Sequence, residues 1–171
     1  MNKYFYLFIV FLITGCSSLS TKETIKAEIY QYGLYETVGI YFTEDNKAVP
    51  SGKFGKSTGG VKFLRQTDQI PLIFGVRFGY DFRIYGLTGK TVKLRCVVTH
   101  PPITRQDGEI STVYEYEKEF DVVEGVVDDG ADYYINHDYE LVPGKWTRTY
   151  YYQDQKILHK EFHVSSEYNQ L

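Results

Sequence analysis

The segment from residue 74 to residue 84 alternates apolar and polar side chains without a break. Its apolar residues are mostly aromatic and occupy every second position: Phe74, Val76, Phe78, Tyr80, Phe82 and Ile84. Residues two apart lie on the same face of a β-strand, whereas a helix repeats every 3.6 residues. The pattern therefore predicts a long strand with one buried face, and it excludes a surface helix here.

The same period of two recurs along the chain, and no segment shows a helical period. Turn-forming residues such as those of 86–89, 107–108 and 153–155 separate the patterned runs. The further predicted strands are 25–35, 38–42, 61–66, 92–99, 112–122, 145–152 and 157–164. Short connections between many strands predict an all-β chain, an antiparallel immunoglobulin-like β-sandwich of about seven to nine strands. We predict a single domain over 25–166, with 167–171 as a C-terminal tail.

The chain begins with a different kind of segment. Lys3 precedes an apolar run over 4–13, about half of the ~20 residues that a transmembrane helix needs. This predicts a secretory signal peptide rather than a membrane span. The sequence Ile13-Thr14-Gly15-Cys16 resembles the lipobox of bacterial lipoproteins, although an ordinary cleavage site beside a chance cysteine is the alternative.

The resemblance to a lipobox implies a processed and anchored protein. It predicts that 1–15 are removed as a lipoprotein signal peptide, that Cys16 is lipidated, and that the polar segment 16–24 is a tether. Ser17 stands where an aspartate would, by the sorting rule of enteric lipoproteins, keep the protein at the inner membrane. The predicted location is the cell outer membrane, with the domain facing the periplasm.

The charge composition argues against a nucleic-acid partner, and the predicted domain contains a single cysteine. Lys and Arg total 19 against 22 Asp and Glu, and no basic stripe points to nucleic acid. If Cys16 is lipidated, Cys96 has no partner for a disulfide. Cys96 shares its parity with Val92, Leu94 and Val98, so we predict a buried thiol, with a reactive thiol as the alternative.

Motifs that resemble catalytic elements lack their required surroundings. Residues 55–59 match G-x-S-x-G around Ser57, and 55–57 match the end of a P-loop, but no buried strand precedes them and no helix follows. We interpret the segment as a Gly/Ser/Lys loop. His100-Pro101-Pro102 is interpreted as the exit from a strand.

No metal or cofactor is predicted. His159 and His163 share a strand face but lie ~13 Å apart along it, too far to chelate one ion, and His100 and His137 are the remaining histidines. The acidic segment 124–140 could offer oxygen ligands to calcium, but its spacing misses the EF-hand pattern. We predict a solvated acidic loop.

Tyrosine is unusually frequent in this chain, with 17 residues. Consecutive strand residues face opposite ways, so some tyrosines must be exposed. The candidate binding surface consists of Tyr30, Tyr32, Tyr150, Tyr151 and Tyr152. The alternative is that these rings form cross-strand pairs that stabilise the sheets.

Several stretches together resemble an uncharacterised bacterial domain family of unknown function, found in secreted proteins and lipoproteins. The resemblance spans nearly the whole predicted domain and supports the fold, but the family has no assigned activity or site residues. The stretches are 32–35, 66–71, 74–79, 99–102, 114–116 and 138–146.

The leading functional hypothesis is a non-catalytic protein-interaction or envelope-assembly module, attached to the membrane through Cys16 and bound to an envelope protein. The alternative is a binder of envelope glycan or peptidoglycan that uses exposed tyrosines. An enzyme is the remote alternative. It would need a pocket in which His100 or His137 reaches a carboxylate or hydroxyl.

Overall fold

The computed structural model describes residues 24–45, 49 and 51–167. The predicted signal peptide, Cys16 and most of the tether lie outside the described residues. Within these ranges the chain forms eleven strands and one short 3₁₀ helix, Asp138–Glu140. The strands are β1 (Lys26–Thr37), β2 (Tyr41–Asp45), β3 (Lys53–Ser57), β4 (Val61–Gln66), β5 (Gln69–Pro71), β6 (Arg77–Tyr85), β7 (Thr91–Thr104), β8 (Ile110–Asp121), β9 (Val126–Tyr134), β10 (Gly144–Tyr152) and β11 (Gln155–Ser165).

The strands form two packed sheets and a hairpin. One sheet has four strands in the order β4-β1-β6-β9, and the other has five in the order β5-β11-β10-β7-β8. All pairs are antiparallel except β5 with β11. Strands β2 and β3 pair with each other and with no other strand of the described ranges. The predicted all-β, immunoglobulin-like fold is thus confirmed, with more strands than the seven to nine expected.

The alternating segment around β6 supplies the centre of the core. Phe78, Tyr80, Phe82 and Ile84 are buried as predicted, but the strand begins only at Arg77. Phe74 is 60% exposed, and Gly75 has a positive φ of 85°. The turn at Gly75 therefore removes the first part of the pattern from the sheet.

Aromatic side chains join the two sheets. The Phe82 ring lies 5.2 Å from the ring of Tyr150, and the Phe78 ring lies 5.8 Å from Trp146 and 5.3 Å from Phe162. Aromatic pairs in these tilted arrangements contribute about 0.5–1.5 kcal/mol beyond the burial of their area. These contacts across the sandwich explain why aromatic residues dominate the alternating strands.

Two segments predicted as loops are strands. The Gly/Ser/Lys segment forms β3, which pairs with β2, and the acidic segment forms β9, which pairs with β6 over its whole length. In β9 the inward parity includes Asp129, which faces Phe82 across the pairing. A charged residue on the inner face hides the period of two, so the sequence pattern misses this strand.

The chain also continues through the proline pair that was expected to end a strand. Pairing of β7 with β8 is interrupted between Thr99 and Ile103 and then resumes to Thr104. A bulge of this kind accommodates the missing proline N–H groups without ending the strand.

We expect Cys96 to react with a thiol reagent only after unfolding. Its side chain is fully buried, which confirms the predicted packing role, and burial raises the pKa of the thiol, so little reactive thiolate forms. The Cys16→Ala variant, whose sole thiol is Cys96, should be labelled slowly when folded and quickly in guanidinium chloride. Equal rates in the two states would contradict a buried thiol.

Candidate functional site

The sandwich is open along one side, between the edge strands of its two sheets. Strand β8 is the last strand of the five-stranded sheet, and β9 is the last of the four-stranded sheet. A cavity of about 790 Å³ lies there and continues over β9 to the β2–β3 hairpin. We call it the edge cleft. Its size falls within the range of small-ligand sites.

The inner part of the edge cleft lies between the sheets and is rich in tyrosine. On β8, Tyr114 and Tyr116 stack with ring centres 5.8 Å apart and nearly parallel planes. Tyr80 on β6 and Tyr150 on β10 also line this part. A salt bridge of 2.9 Å between Lys118 Nζ and Asp129 Oδ2 connects the two edge strands. The salt bridge therefore links the two sheets at this point, and the edge cleft opens between them beside it.

Arg148 lies in the inner part and is only 8% exposed. It comes from β10, on the same parity as the core residues Trp146 and Tyr150. Its Nη2 donates to the Tyr114 hydroxyl at 3.3 Å and to the backbone oxygen of Asp132 at 3.1 Å. Arg148 therefore contacts both edge strands of the cleft.

The outer part of the edge cleft lies under the β2–β3 hairpin. Tyr41 of β2 meets Tyr134 of β9 edge-on, with ring centres 4.6 Å apart. The Arg77 guanidinium lies 5.5 Å from the first ring and 4.9 Å from the second. A Cβ at Gly55 would overlap the Tyr41 hydroxyl, so this glycine allows the ring to lie against β3.

Asp81 is a half-buried carboxylate in the outer part. Its Oδ2 accepts hydrogen bonds from Gln31 Nε2 at 2.8 Å and from the Tyr35 hydroxyl at 3.0 Å. Burial raises the pKa of Asp81, and these two hydrogen bonds oppose the rise. A Cβ at Gly130 would lie 2.6 Å from Asp81 Oδ1. The Asp81 carboxylate therefore fits here because residue 130 has no side chain.

The five tyrosines predicted as a binding surface do not share one face. Tyr150 is only 1% exposed and packs against the core, and it lines the inner part of the edge cleft rather than the outer surface. Tyr30 bonds to Asp128 on the four-stranded sheet, whereas Tyr151 packs on Arg95 of the five-stranded sheet. The remaining two candidates, Tyr32 and Tyr152, are partly buried against the core.

The other candidate residues lie apart from the edge cleft or have structural roles. Ser57 lines the outer part, but it ends β3 in a hairpin, and its hydroxyl donates to the Gly60 oxygen at 2.8 Å. His100 is buried, stacks on Trp146 at 5.0 Å and lies 3.3 Å from the Ser111 hydroxyl. His137 stacks on Tyr139 at 5.0 Å. Neither histidine lines the cleft.

Within the part of the chain that the structure describes, no group of three or more potential metal ligands lies close enough to hold an ion. No helix of the described ranges has the length and apolar character needed to cross a bilayer.

The sequence pattern did not predict that Arg148, Tyr80 and Tyr114 belong to one site. For Arg148 the sequence does contain an indication of a special role. Arg148 occupies an inward parity between Trp146 and Tyr150, where an arginine must be buried or reach a partner. The meeting of strands β6, β8 and β10 at one cleft could not be predicted from periodicity.

The family comparison covers most of the described domain. A family model with the description "Domain of unknown function (DUF3859)" matches residues 23–164. No curated protein matches the chain. The resemblance to an uncharacterised domain family is thus confirmed, while the lipobox lies outside the matched residues.

The comparison with solved structures includes one match that supports the fold. An immunoglobulin-like protein from Pseudomonas aeruginosa matches with a TM-score of 0.59 and 19% identity, covering 85% of this chain and 99% of that one. The alkylpurine DNA glycosylase AlkC from Pseudomonas fluorescens reaches a TM-score of 0.39 at 14% identity, over 58% of this chain and 28% of its own. A β-glucosidase from Listeria innocua matches with a TM-score of 0.35 and 12% identity, covering 57% of this chain and 15% of that one. At these identities the first match supports the fold alone.

Proposed function

Because this chain belongs to the family described as Domain of unknown function (DUF3859), which brings no assigned activity, we propose a function from the site itself. The protein is a non-catalytic binding module that takes part of an envelope protein into its edge cleft. A lipidated Cys16 holds it at the outer membrane, facing the periplasm.

One observation carries this proposal, namely the tyrosine-rich concavity between β8 and β9. Tyrosine supplies a large contact area with few rotatable bonds and a polar end, which is why it is enriched at binding interfaces. The edge strands add backbone N–H and C=O groups that face no further strand in the described part of the chain. A partner segment therefore finds stacking surface and hydrogen-bonding groups in the same cleft.

The side chains of the cleft favour binding over catalysis. None of its described lining residues is histidine or cysteine. Two pairs of its charged residues contact each other, Arg77 Nε with Asp132 Oδ2 at 3.1 Å and Lys118 Nζ with Asp129 Oδ2 at 2.9 Å. Such pairs shape a surface without supplying a nucleophile and a base.

In-cell photo-crosslinking tests the proposal with two matched tyrosines. Tyr134 and Tyr151 are both half-buried and both lie under an arginine, at 4.9 Å and 4.2 Å, but only Tyr134 lines the edge cleft. With benzoyl-phenylalanine at each position in turn, we expect a protease-sensitive product from position 134 and little from position 151. A product that lysozyme digests, or none at position 134, would overturn a protein partner.

A further inference from the structure

The buried arginine of the edge cleft lacks an acidic partner. Among the described residues, no carboxylate lies within 4.0 Å of the Arg148 guanidinium, and its neighbours are the neutral Tyr114 hydroxyl and a backbone oxygen. Arg77 is about as buried, at 6% exposure against 8% for Arg148, yet it has a carboxylate at 3.1 Å. The more exposed Arg83 and Arg95 have one at 2.8 Å and 3.3 Å. Of these four arginines, Arg148 is therefore the one that has no counter-charge among the described residues.

An isolated buried charge is costly, because protein groups replace its hydration only in part. Arginine cannot relieve that cost by losing its proton. Only Nη2 of Arg148 has hydrogen-bond acceptors among the described residues. The guanidinium therefore retains donors that an anion in the cleft could use.

A second polar group in the same place is also unsatisfied. The Tyr80 hydroxyl is buried, the residue is 1% exposed, and no described residue forms a hydrogen bond with it. Burial raises the pKa of Tyr80 while the charge of Arg148 opposes the rise, so the hydroxyl remains a donor at neutral pH. Ala131 faces Tyr80 across the β6–β9 pairing and takes up little space beside it.

The rest of the cleft limits the charge of the anion. Its basic and acidic lining residues balance, and a single guanidinium neutralises one negative charge. A dianion such as a phosphate monoester would leave one charge uncompensated near Asp129 and Asp132. A carboxylate carries a single negative charge, and one of its oxygens can accept from the Nε or Nη1 donors that Tyr114 and Asp132 leave free. The cationic residues of the lining are Lys53, Arg77, Lys118 and Arg148, and the anionic ones are Asp81, Glu117, Asp129 and Asp132.

We propose that Arg148 and Tyr80 form a receptor for one carboxylate group of the ligand that enters the edge cleft. The inference rests on the proposed function and adds the chemistry of recognition. The carboxylate accepts from the guanidinium and from the Tyr80 hydroxyl, while the stacked Tyr114 and Tyr116 contact the atoms next to it. A protein side chain, a chain terminus and a peptidoglycan stem peptide can each present such a group.

Acetate is the probe for this receptor, followed by NMR on the arginine Nε–H resonances of the full chain at constant ionic strength. We expect a saturable shift of the Arg148 resonance with a dissociation constant on the order of millimolar, given the small size of acetate. Chloride should produce no saturable shift. Inorganic phosphate binding as tightly as acetate would overturn the preference for a single negative charge, and the absence of acetate saturation would overturn the receptor.

Three variants separate the receptor from a structural role of Arg148. Arg148→Met should abolish the saturable acetate response of the Tyr114 and Tyr116 ring signals. Tyr80→Phe removes only a hydroxyl without a partner, so it should fold normally and weaken acetate binding ~5-fold. The matched control, Arg95→Met, removes a guanidinium from the outer face and should leave binding unchanged. Unaltered acetate binding in both Arg148→Met and Tyr80→Phe would overturn the proposal.

The outcome is distinguishable from failure of the proposed function. If position 134 still crosslinks to a protein while acetate does not bind, the cleft binds a partner without carboxylate recognition. If neither occurs, the proposed function fails as well.

Discussion

Replacing Cys16 by alanine is expected to move the protein from the membrane fraction to the soluble periplasm or to an unprocessed precursor. A lipobox cysteine carries a diacylglycerol and an acylated amine, by the resemblance to bacterial lipoproteins. Each buried methylene contributes about 0.8 kcal/mol, so two or three acyl chains give stable anchoring where one chain is marginal. Fractionation of cells, together with metabolic labelling by palmitate, measures the effect.

Cys96 provides the matched control for that experiment. The Cys96→Ala variant keeps the lipobox and should remain in the membrane fraction and incorporate palmitate as the unaltered chain does. Retention of the Cys16→Ala variant in the membrane fraction would contradict lipid anchoring through this residue.

Replacing Glu140 by alanine is expected to destabilise the domain by about 3 kcal/mol. Glu140 is fully buried in the 3₁₀ helix that follows β9. Its Oε1 accepts from the Tyr133 hydroxyl at 2.5 Å, and its Oε2 accepts from the backbone N–H groups of Asn136 and His137, each at 2.9 Å. The variant leaves three donors unsatisfied beside the edge cleft.

Urea unfolding measures this loss of stability, and Glu119 serves as the control. Glu119 is exposed on β8, and among the described residues its side chain bonds only to the Thr91 hydroxyl, at 2.8 Å. The Glu119→Ala variant should change the free energy of unfolding by no more than about 0.5 kcal/mol. A Glu140→Ala variant that unfolds at the same urea concentration as the control would show that water replaces the carboxylate at no cost.

Burial raises the pKa of Glu140 despite its three hydrogen bonds, so this carboxylate is retained at some cost. Its partners Tyr133 and Asn136 both line the edge cleft. The buried carboxylate therefore fixes one wall of the cleft, and this position links the stability of the domain to the shape of its site.

Periodicity was sufficient to predict the strands whose inner face is wholly apolar. The alternation at Phe78, Tyr80 and Phe82 corresponds to the central strand β6. It was insufficient for β9, because Asp129 occupies an inner position, where its carboxylate accepts from the Gly130 N–H and forms a salt bridge with Lys118. That partner lies on the other sheet, and a local pattern contains no information about it.

The candidate site was less predictable than the fold for the same reason. Tyr80, Tyr114 and Arg148 are far apart in sequence and meet only because β8 and β9 are the neighbouring edges of two sheets. Counting tyrosines indicated an excess of this residue but did not identify which rings line the cleft. Of the five candidates Tyr150 lines it, and the same ring packs on Phe82 in the core. Strand order, which the sequence pattern does not determine, decides which aromatic rings line the cleft.

The central claim is that the edge cleft is where this protein binds its partner. The most direct measurement is the ratio of photo-crosslinking yields in intact cells between position 134, in the cleft, and position 151, on the outer face of the five-stranded sheet. The account predicts a ratio well above one, carried by a single major product. Equal yields at the two positions would contradict it.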